Sequence, residues 1–212
     1  MKPLLVIAAA ACPPLPAHAI VYYSTAIEGR VVDAESGRPV QGALVTANWQ
    51  LEGGFDTGVP RAQLKILETT TDASGAFRLP SWGPRLSFAG HPSSKWPQIL
   101  IFKPGFKYRR QFDRSPDGVK IALSPIQDLE AYAKEFGAFN REIDWIGVRS
   151  GNQCAWRELP ATLRMLAEEG GRLQSLGVRG FSWLIAELRA GEDYFQKQGC
   201  GSVKEFLSGD RK

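Results

Sequence analysis

Histidine, the residue type that most often carries acid-base catalysis or binds zinc, is scarce in this sequence. The 212 residues include two histidines, and only His91 lies beyond the first nineteen residues. A zinc peptidase needs two or three clustered His, Glu or Asp ligands and a general base. The spacings H-x-x-E and H-E-x-x-H do not occur, and neither does a Gly-x-Ser-x-Gly nucleophile elbow. We therefore predict that His91 is a loop residue and that the chain has no catalytic or metal-binding residues.

Paired carboxylates could support glycoside hydrolysis, which needs two of them across a cleft. Three pairs occur in the C-terminal half: Glu142/Asp144, Glu168/Glu169 and Glu192/Asp193. The polar surface of a helix supplies such pairs without any catalytic role, and we place Glu168 and Glu169 at a solvated helix end. Phosphate-binding loops and dinucleotide fingerprints are absent from the sequence. The prediction is a protein that is not an enzyme and uses no cofactor.

Basic and aromatic residues interleave between residues 102 and 112. The members are Phe102, Lys103, Phe106, Lys107, Tyr108, Arg109, Arg110 and Phe112. Proteins that bind nucleic acids or acidic glycans show such interleaving, but a strand pair with one apolar and one charged face gives the same pattern, and we favour it. The net charge of +4 does not suit a dedicated nucleic-acid binder. Arg109 and Arg110 stay candidates for binding an anionic surface polymer or a lipid headgroup.

Two tryptophans, Trp82 and Trp96, flank a loop rich in Pro, Gly and Ser that also contains His91. Exposed tryptophans on such a loop can stack on sugar rings. A tryptophan that pins a long loop to the core is the commoner arrangement. Both interpretations stay open, so Trp82 and Trp96 join the two arginines as candidate ligand-binding residues.

The first nineteen residues have the pattern of an export signal. Lys2 precedes a short apolar run over residues 4–11, prolines follow, and Ala17-His18-Ala19 is a small-x-small cleavage site. We predict a signal peptide over residues 1–19 and a periplasmic or secreted protein. The alternative is a lipoprotein anchored to the outer membrane, because Ala9-Ala10-Ala11-Cys12 weakly matches a lipidation signal at Cys12. An uncleaved anchor is a third alternative.

The segment from residue 27 to residue 123 has the patterns of strands and turns. Ala43, Val45, Ala47 and Trp49 alternate with other residues, which predicts a half-buried strand. The apolar run over residues 99–102 predicts a strand that is buried on both faces. We interpret residues 53–61 as a long hairpin tip and residues 82–97 as a long irregular connection.

From residue 125 to residue 212 the apolar residues recur at helical spacing. Ser124 and Pro125 predict the start of a first helix that ends near Gly137. The apolar stripe over residues 159–166 predicts a second helix that stops at Gly170-Gly171.

A third apolar stripe lies over residues 181–188, and residues 202–205 form a capping box. Two cysteines of an exported chain most simply pair, so we predict a structural disulfide between Cys154 and Cys200. A redox dithiol is the alternative, although the spacing is not C-x-x-C. We expect the disulfide to hold together a small helical unit with little core of its own.

The β segment, over about residues 27–123, resembles a carboxypeptidase regulatory-like domain with the transthyretin-like fold. The residues that carry the resemblance lie at 27–33, 36–40, 42–45, 69–77 and 103–106. The resemblance implies a seven-stranded antiparallel β-sandwich over residues 20–124 and does not cover the helical tail. Together with the helical spacing described above, we predict a mainly β chain in which a small disulfide-stapled α-helical region over residues 125–212 follows the sandwich. The turn at residues 72–75 needs a side-chain cap or a positive-φ residue.

Domains of this kind usually accompany an enzyme, a transporter or a surface protein, so the resemblance itself implies no chemistry. Together with the predicted export, it leads us to expect a non-catalytic binding or scaffolding protein of the bacterial cell envelope. The alternative is a carbohydrate-binding or degradative-enzyme accessory module that uses the Trp82–Trp96 loop. The expected partner is an envelope protein or a glycan and not nucleic acid, and it is a membrane only if Cys12 is lipidated.

Overall fold

The computed structural model describes residues 20–53, 60–87, 90–92, 97–112, 119–148, 152–178 and 183–209. The predicted signal peptide with Cys12, most of the predicted hairpin tip and Trp96 lie outside these residues. The strands are β1 Ile20–Ser24, β2 Ile27–Asp33, β3 Leu44–Glu52, β4 Pro60–Thr70, β5 Ala76–Leu79, β6 Trp82–Ser87, β7 His91–Pro92, β8 Gln98–Phe102, β9 Arg109–Phe112 and β10 Val119–Leu123.

The strands form two packed sheets and a separate ribbon. One sheet has the order β10-β2-β5, and the other has the order β4-β3-β8-β9 with β7 paired to β3. Apolar side chains from both sheets fill the space between them, among them Val31, Val45, Trp49, Phe77, Ile99, Ile101 and Ile121. The fully antiparallel arrangement that we expected is wrong, because β10 pairs with β2 in parallel, with Lys120 opposite Arg30.

The central strands β3 and β8 are buried on both faces. Val45 and Ala47 point into the space between the sheets, whereas Leu44 packs with the helices on the opposite face. The prediction of a doubly buried strand at residues 99–102 is confirmed. The half-buried character predicted for β3 is corrected, because the helices cover the face that we expected to meet solvent.

The stretch from Trp82 onward is more regular than predicted. Residues 82–87 form β6, which pairs antiparallel with β1. Residues 91–92 form β7, which pairs antiparallel with the last two residues of β3. Gly83 adopts φ 115°, and a Cβ atom there would lie 2.6 Å from the Cβ of Tyr23. The glycine therefore lets β6 approach β1 closely.

The turn between β4 and β5 has the cap that its sequence predicts. Asp72 Oδ1 accepts hydrogen bonds from the backbone N–H of Ser74 and Ala76. Gly75 has φ 74°, and a Cβ atom there would lie 2.3 Å from the carbonyl oxygen of Val31. Only glycine fits this close approach.

The helices of the C-terminal region are α1 Leu129–Gly147, α2 Pro160–Ser175, α3 Trp183–Ala190, α4 Glu192–Lys197 and α5 Val203–Ser208, with a 3₁₀ turn at Ala155–Glu158. The predicted start of α1 at Pro125 is wrong. Ile126 N–H donates to the carbonyl oxygen of Gly105, and Pro125 pairs with Phe106, so this segment is extended. Asp128 is the N-cap and accepts from the N–H of Ala131 at 2.6 Å.

Both predicted glycine stops are also wrong. Gly137 is buried inside α1, and α2 continues through Gly170 and Gly171 to Ser175. A glycine inside a helix costs about 1 kcal/mol, but burial of apolar residues beyond each glycine stabilises the helix by more than this. The capping box at α5 is confirmed in part, since Ser202 Oγ accepts from the N–H of Glu205 at 3.2 Å.

The helices pack on the outer face of the larger sheet. Phe102 of β8 stacks on Phe139 of α1 with ring centroids 4.5 Å apart and planes inclined by 8°. Leu44, Ile66 and Leu100 also belong to this second core. The expectation of a helical unit with little core is therefore corrected, because the unit shares its core with the sheet.

The disulfide between Cys154 and Cys200 is confirmed. It joins the segment before the 3₁₀ turn to the connection between α4 and α5. Trp156 is buried beside it, with Phe195 and Phe206 edge-on to its ring at 5.6 and 5.0 Å. The disulfide and this aromatic cluster together hold the last two helices against the rest of the chain.

A carboxylate from the sheet caps the N-terminus of α2. Glu68 of β4 accepts from the N–H groups of Ala161 and Thr162 at 2.5 and 3.0 Å and from the Thr162 hydroxyl at 2.8 Å. The residue before the helix, Leu159, has no side-chain acceptor. Glu68 therefore satisfies N–H groups that lack partners at every helix start and places a negative charge at the positive end of the helix.

Replacing Glu68 by alanine is expected to lower the free energy of unfolding by about 2 kcal/mol, because the helix N–H groups lose their acceptor. Urea denaturation of the two proteins measures the difference. Glu35→Ala is the matched control, since Glu35 is an exposed glutamate in a turn. Equal losses in the two variants would mean that the cap contributes nothing specific.

Candidate binding surface

An open groove lies on the face of the β10-β2-β5 sheet that points away from the core. Its volume is about 370 Å³. The lining residues come from all three strands: Glu28, Gly29, Arg30, Ala76, Phe77 and Lys120. We call this feature the sheet groove. The small residues Gly29 and Ala76 leave the space that forms it, and larger side chains stand around it.

The charge in the sheet groove is mainly positive. Lys120 lies directly opposite Arg30 on the neighbouring strand, and both are exposed. Like charges in this position repel each other. Glu28 forms an ion pair with Arg78 on the other neighbouring strand, and within the described residues neither Arg30 nor Lys120 has a carboxylate in ion-pair contact.

Asp72 does not line the sheet groove, but its carboxylate interacts electrostatically with Arg30, which does. Its pKa lies below the usual value, mainly because the Ser74 side chain and the Ala76 N–H donate hydrogen bonds to it, and Arg30 adds a smaller electrostatic contribution. Since its carboxylate is already bonded within its own turn, Asp72 does not occupy the space between Arg30 and Lys120. That space suits an anionic group of a ligand, such as a carboxylate, sulfate or phosphate.

Arg30 and Lys120 are not among the binding residues predicted from the sequence. Each is one charged residue in a strand of alternating pattern, which is ordinary for an exposed face. The two residues are ninety positions apart in the sequence and become neighbours only through the parallel pairing of β2 and β10. Strand pairing, and not a local motif, is the information that would have found them.

Trp82 lies against the core. Its ring meets Trp49 edge-on with centroids 5.5 Å apart, and its buried Nε1 has no hydrogen-bond partner among the residues that the structure describes. This contact is that of a tryptophan that pins a segment to the core. Trp96 lies outside the described residues, so the proposed role of the pair in sugar binding stays a prediction.

Arg109 and Arg110 lie on β9, at the edge of the larger sheet. Arg110 Nη1 forms an ion pair with Glu142 Oε1 of α1 at 2.8 Å, and Glu142 also accepts from Gln98 Nε2. Arg109 is exposed. The ion pair gives Arg110 a structural partner, and a binding role for either arginine stays a prediction.

The aromatic residues beside these arginines serve the core. The Phe102 and Tyr108 rings both contact Phe139 of α1. Burial raises the pKa of Tyr108, and the negative charge of Glu142 raises it further. The favoured interpretation, a strand pair with one apolar and one charged face, is corrected, because β8 is buried on both faces and residues 103–108 form a turn and loop between β8 and β9.

One member of each predicted carboxylate pair is buried, which corrects the expectation of solvated helix surfaces. Asp144 is buried in α1, Glu169 in α2 and Glu192 at the start of α4. Glu192 accepts from the backbone N–H groups of Val203 and Lys204 and thereby caps α5. Its pKa is lowered mainly by a hydrogen bond from the Ser202 side chain.

Glu169 lies inside α2 and not at a solvated helix end. The Tyr132 hydroxyl donates to it at 2.7 Å, and Arg172 Nη2 lies 2.6 Å from the same carboxylate. Burial raises the pKa of Tyr132, and the hydrogen bond to Glu169 raises it further. The Glu169 carboxylate thus accepts hydrogen bonds from both Tyr132 and Arg172, and the three side chains connect α1 to α2.

His91 is exposed in β7 and not in an irregular loop, and its Nδ1 lies 3.3 Å from the carbonyl oxygen of Pro92. In the described part of the chain, no three His, Cys, Asp or Glu side chains are grouped so that they could hold a metal ion. None of the helices described is long and apolar enough to span a bilayer.

No protein-family model matches the chain, and no curated protein does either. Solved structures with partial similarity include 3-chlorocatechol 1,2-dioxygenase from Rhodococcus opacus 1CP, with 16% identity and a TM-score of 0.30 over 48% of this chain. They also include a streptococcal ancillary pilin, with 10% identity and a TM-score of 0.29 over 49% of this chain. The shaft pilin SpaA from Lactobacillus rhamnosus GG has 13% identity and a TM-score of 0.28 over 51%.

This chain spans 60%, 30% and 47% of the lengths of those three structures. Similarity at this level assigns neither family nor function. The resemblance to carboxypeptidase regulatory-like domains therefore stays a prediction. The chain is a two-layer β-structure whose larger sheet is covered by helices and whose helical region contains one disulfide.

Proposed function

We propose that this chain is an exported, non-catalytic binding or scaffolding protein of the bacterial cell envelope, and that the sheet groove binds an anionic polymer of that envelope. The observation that carries the proposal is the pairing of Arg30 with Lys120 in an open groove. Two neighbouring cations repel each other when the groove is empty, and an anionic group between them relieves that repulsion.

The rest of the molecule supports a binding role over catalysis. Glu169 and Glu192, the buried carboxylates with known partners, connect or cap helices. The sheet groove contains cations and one ion-paired glutamate, and a pair of cations supplies no nucleophile and no base near neutral pH. A repeating acidic glycan presents many carboxylates, and each of them can serve as the anionic group between Arg30 and Lys120.

Export is the second part of the proposal and rests on the leader pattern of residues 1–19 and on the Cys154–Cys200 disulfide. Disulfides persist in oxidising compartments outside the cytosol. The proposed location is periplasmic or secreted, with an outer-membrane lipoprotein as the alternative. Mass spectrometry of the exported chain distinguishes them, because cleavage after Ala19 leaves Ile20 first, whereas lipidation adds acyl mass to Cys12.

The double variant Arg30→Gln/Lys120→Gln is expected to bind polygalacturonate, a carboxylate-bearing glycan, about tenfold more weakly than the wild type. Glutamine keeps most of the side-chain length and removes the charge. Isothermal titration measures the affinity at low ionic strength, and added salt should weaken binding of the wild type more than that of the variant.

Arg109→Gln is the matched control, since Arg109 is an exposed arginine on the other sheet. Neutral dextran is the control ligand and should not bind. Equal weakening by Arg109→Gln would move the site to β9. Failure of the wild type to bind polygalacturonate, or conversion of any glycan into products, would contradict the proposal.

A further inference from the structure

The sheet groove has a cationic part and an acidic part. Arg30 and Lys120 lie opposite each other in the parallel pair of β2 and β10, and Glu28 precedes Arg30 by two positions in β2. Residues two positions apart in a strand point to the same face, with Cα atoms about 7 Å apart. Since all three residues line the groove, a ligand that fills it meets both the cations and the carboxylate.

Arg78 holds the Glu28 carboxylate from outside the groove. The two residues lie opposite each other in the antiparallel pair of β2 and β5, and they form an ion pair. Glu28 lines the groove and Arg78 does not, so a ligand there contacts the carboxylate side of the ion pair. An ionised carboxylate has about four lone-pair positions for hydrogen bonds. Glu28 therefore keeps acceptor capacity beyond its ion pair with Arg78.

The wall of the groove between its cationic and acidic parts is formed by small residues. Gly29 lies between Glu28 and Arg30 in β2, and Ala76 lies opposite Arg30 in β5. Neither residue has a side chain long enough to separate the two parts. The groove, with a volume of about 370 Å³, therefore has room for a sugar ring that contacts the cations and the carboxylate together.

The position of Glu28 determines which groups of a ligand fit beside an anion bound by Arg30 and Lys120. A second anionic group about 7 Å along β2 from the first would meet the negative charge of Glu28 and be repelled. A hydroxyl group at the same place donates a hydrogen bond to the carboxylate, and hydrogen bonds to ionised groups are stronger than those between neutral groups. The groove thus distinguishes ligands by the spacing of their charges and by their hydroxyl groups.

We propose that Glu28 determines the specificity of the sheet groove, which selects uronic-acid glycans and rejects polyanions that have closely spaced charges and no hydroxyl groups. Each sugar of a uronic-acid glycan carries one carboxylate and free hydroxyl groups. The carboxylate of one sugar lies between Arg30 and Lys120, and a hydroxyl group of the glycan donates to Glu28. This inference rests on the proposed function, because it concerns the same groove, and it adds the class of ligand and the residue that excludes other polyanions.

The test compares polygalacturonate with inorganic polyphosphate by isothermal titration, at equal concentrations of anionic groups and the same ionic strength. Polyphosphate carries a charge on every phosphate and has no hydroxyl groups along its chain. The wild type is expected to bind polygalacturonate about tenfold more tightly than polyphosphate, because like charges brought together at a binding site suppress the wrong partner. Glu28→Gln is expected to remove most of this preference, since glutamine keeps an acceptor oxygen and lacks the charge.

Two further variants separate the charge of Glu28 from other effects. Glu168→Gln removes one negative charge from an exposed position in α2, and it should leave the preference unchanged. Glu28→Gln/Arg78→Gln removes both charges of the ion pair, so its net charge equals that of the wild type. We expect this double variant to lose the preference as well, because the charge that lines the groove is gone. Thermal melting checks that each variant is folded.

The possible results distinguish this inference from the proposed function. If the wild type binds polygalacturonate but binds polyphosphate equally or more tightly, the inference is overturned and the proposed function is not. The same holds if Glu28→Gln tightens the binding of both polymers by one factor, or if the double variant keeps the wild-type preference, which would assign the effect of Glu28→Gln to the released Arg78. Absence of polygalacturonate binding by the wild type would contradict the proposed function and the inference together.

Discussion

Replacing Phe102 by alanine is expected to lower the free energy of unfolding by about 4 kcal/mol, the usual cost of truncating a buried phenylalanine. Phe102 is fully buried in β8, and its ring contacts both Phe136 and Phe139 of α1. It therefore lies between the larger sheet and the helices. The cavity left by alanine would remove contacts from both sides at once.

The same variant tests whether the two parts of the chain unfold together. Hydrogen exchange followed by mass spectrometry measures the opening free energy of peptides from β2 and from α1 separately. We expect both to decrease by similar amounts, because the helices and the sheet share a core. Unchanged exchange in β2, with faster exchange in α1, would instead support independent domains separated at residues 124/125.

Two control variants accompany Phe102→Ala. Phe102→Leu retains most of the apolar volume and should cost about 1 kcal/mol. Leu176→Ala removes an exposed apolar side chain and should change stability by less than about 0.5 kcal/mol. A loss in Phe102→Leu as large as that in Phe102→Ala would show that ring stacking on Phe139, and not filled volume, provides the stability.

Removing the disulfide is the second change with a large expected effect. Cys154→Ala/Cys200→Ala should lower the free energy of unfolding by about 4 kcal/mol in the chain-entropy model, given the separation of 46 residues between the cysteines. Alanine is chosen over serine because Cys200 is 1% exposed, and a buried hydroxyl would add its own cost. Urea denaturation under non-reducing conditions measures the difference.

A reducing agent provides the matched control for the disulfide. The wild type in reductant should approach the stability of the double variant, and the double variant itself should not respond to reductant. We expect α4 and α5 to lose protection from hydrogen exchange first, since the disulfide and the Trp156 cluster hold them in place. A difference below about 1 kcal/mol would show that packing alone suffices.

Features that depend on neighbours in the sequence could be predicted from it. The doubly buried β8, the turn at residues 72–75, the N-cap of α5 and the division into strands followed by helices all follow from local composition and period. The Cys154–Cys200 disulfide could be predicted because two cysteines beyond a leader leave one pairing. The turn, the cap and the strand pattern each depend on residues close to one another in the sequence. The disulfide joins distant residues, but each cysteine has one possible partner.

The errors have a common physical cause. Ser124 and Pro125 have the chemistry of a helix start, yet the Lys107 N–H donates to the Ser124 carbonyl oxygen and Pro125 pairs with Phe106, so both stay extended. Asp128 caps α1 instead. Gly137 is a weak helix former, but burial in the second core outweighs its local preference. Local preferences of about 1 kcal/mol are reversed wherever a larger area of apolar surface is buried.

The sequence by itself determined the leader pattern, the small number of histidines, the places of β3 and β8, the division into strands followed by helices, and the disulfide. Tertiary structure alone decided that Arg30 meets Lys120, that Glu68 caps α2, and that Tyr22 enters the core while Tyr23 faces solvent. The physical reason is how far apart in the sequence the interacting residues lie. Local patterns report which face of a strand is apolar, whereas a binding surface depends on which distant strands become neighbours, and only the folded chain contains that information.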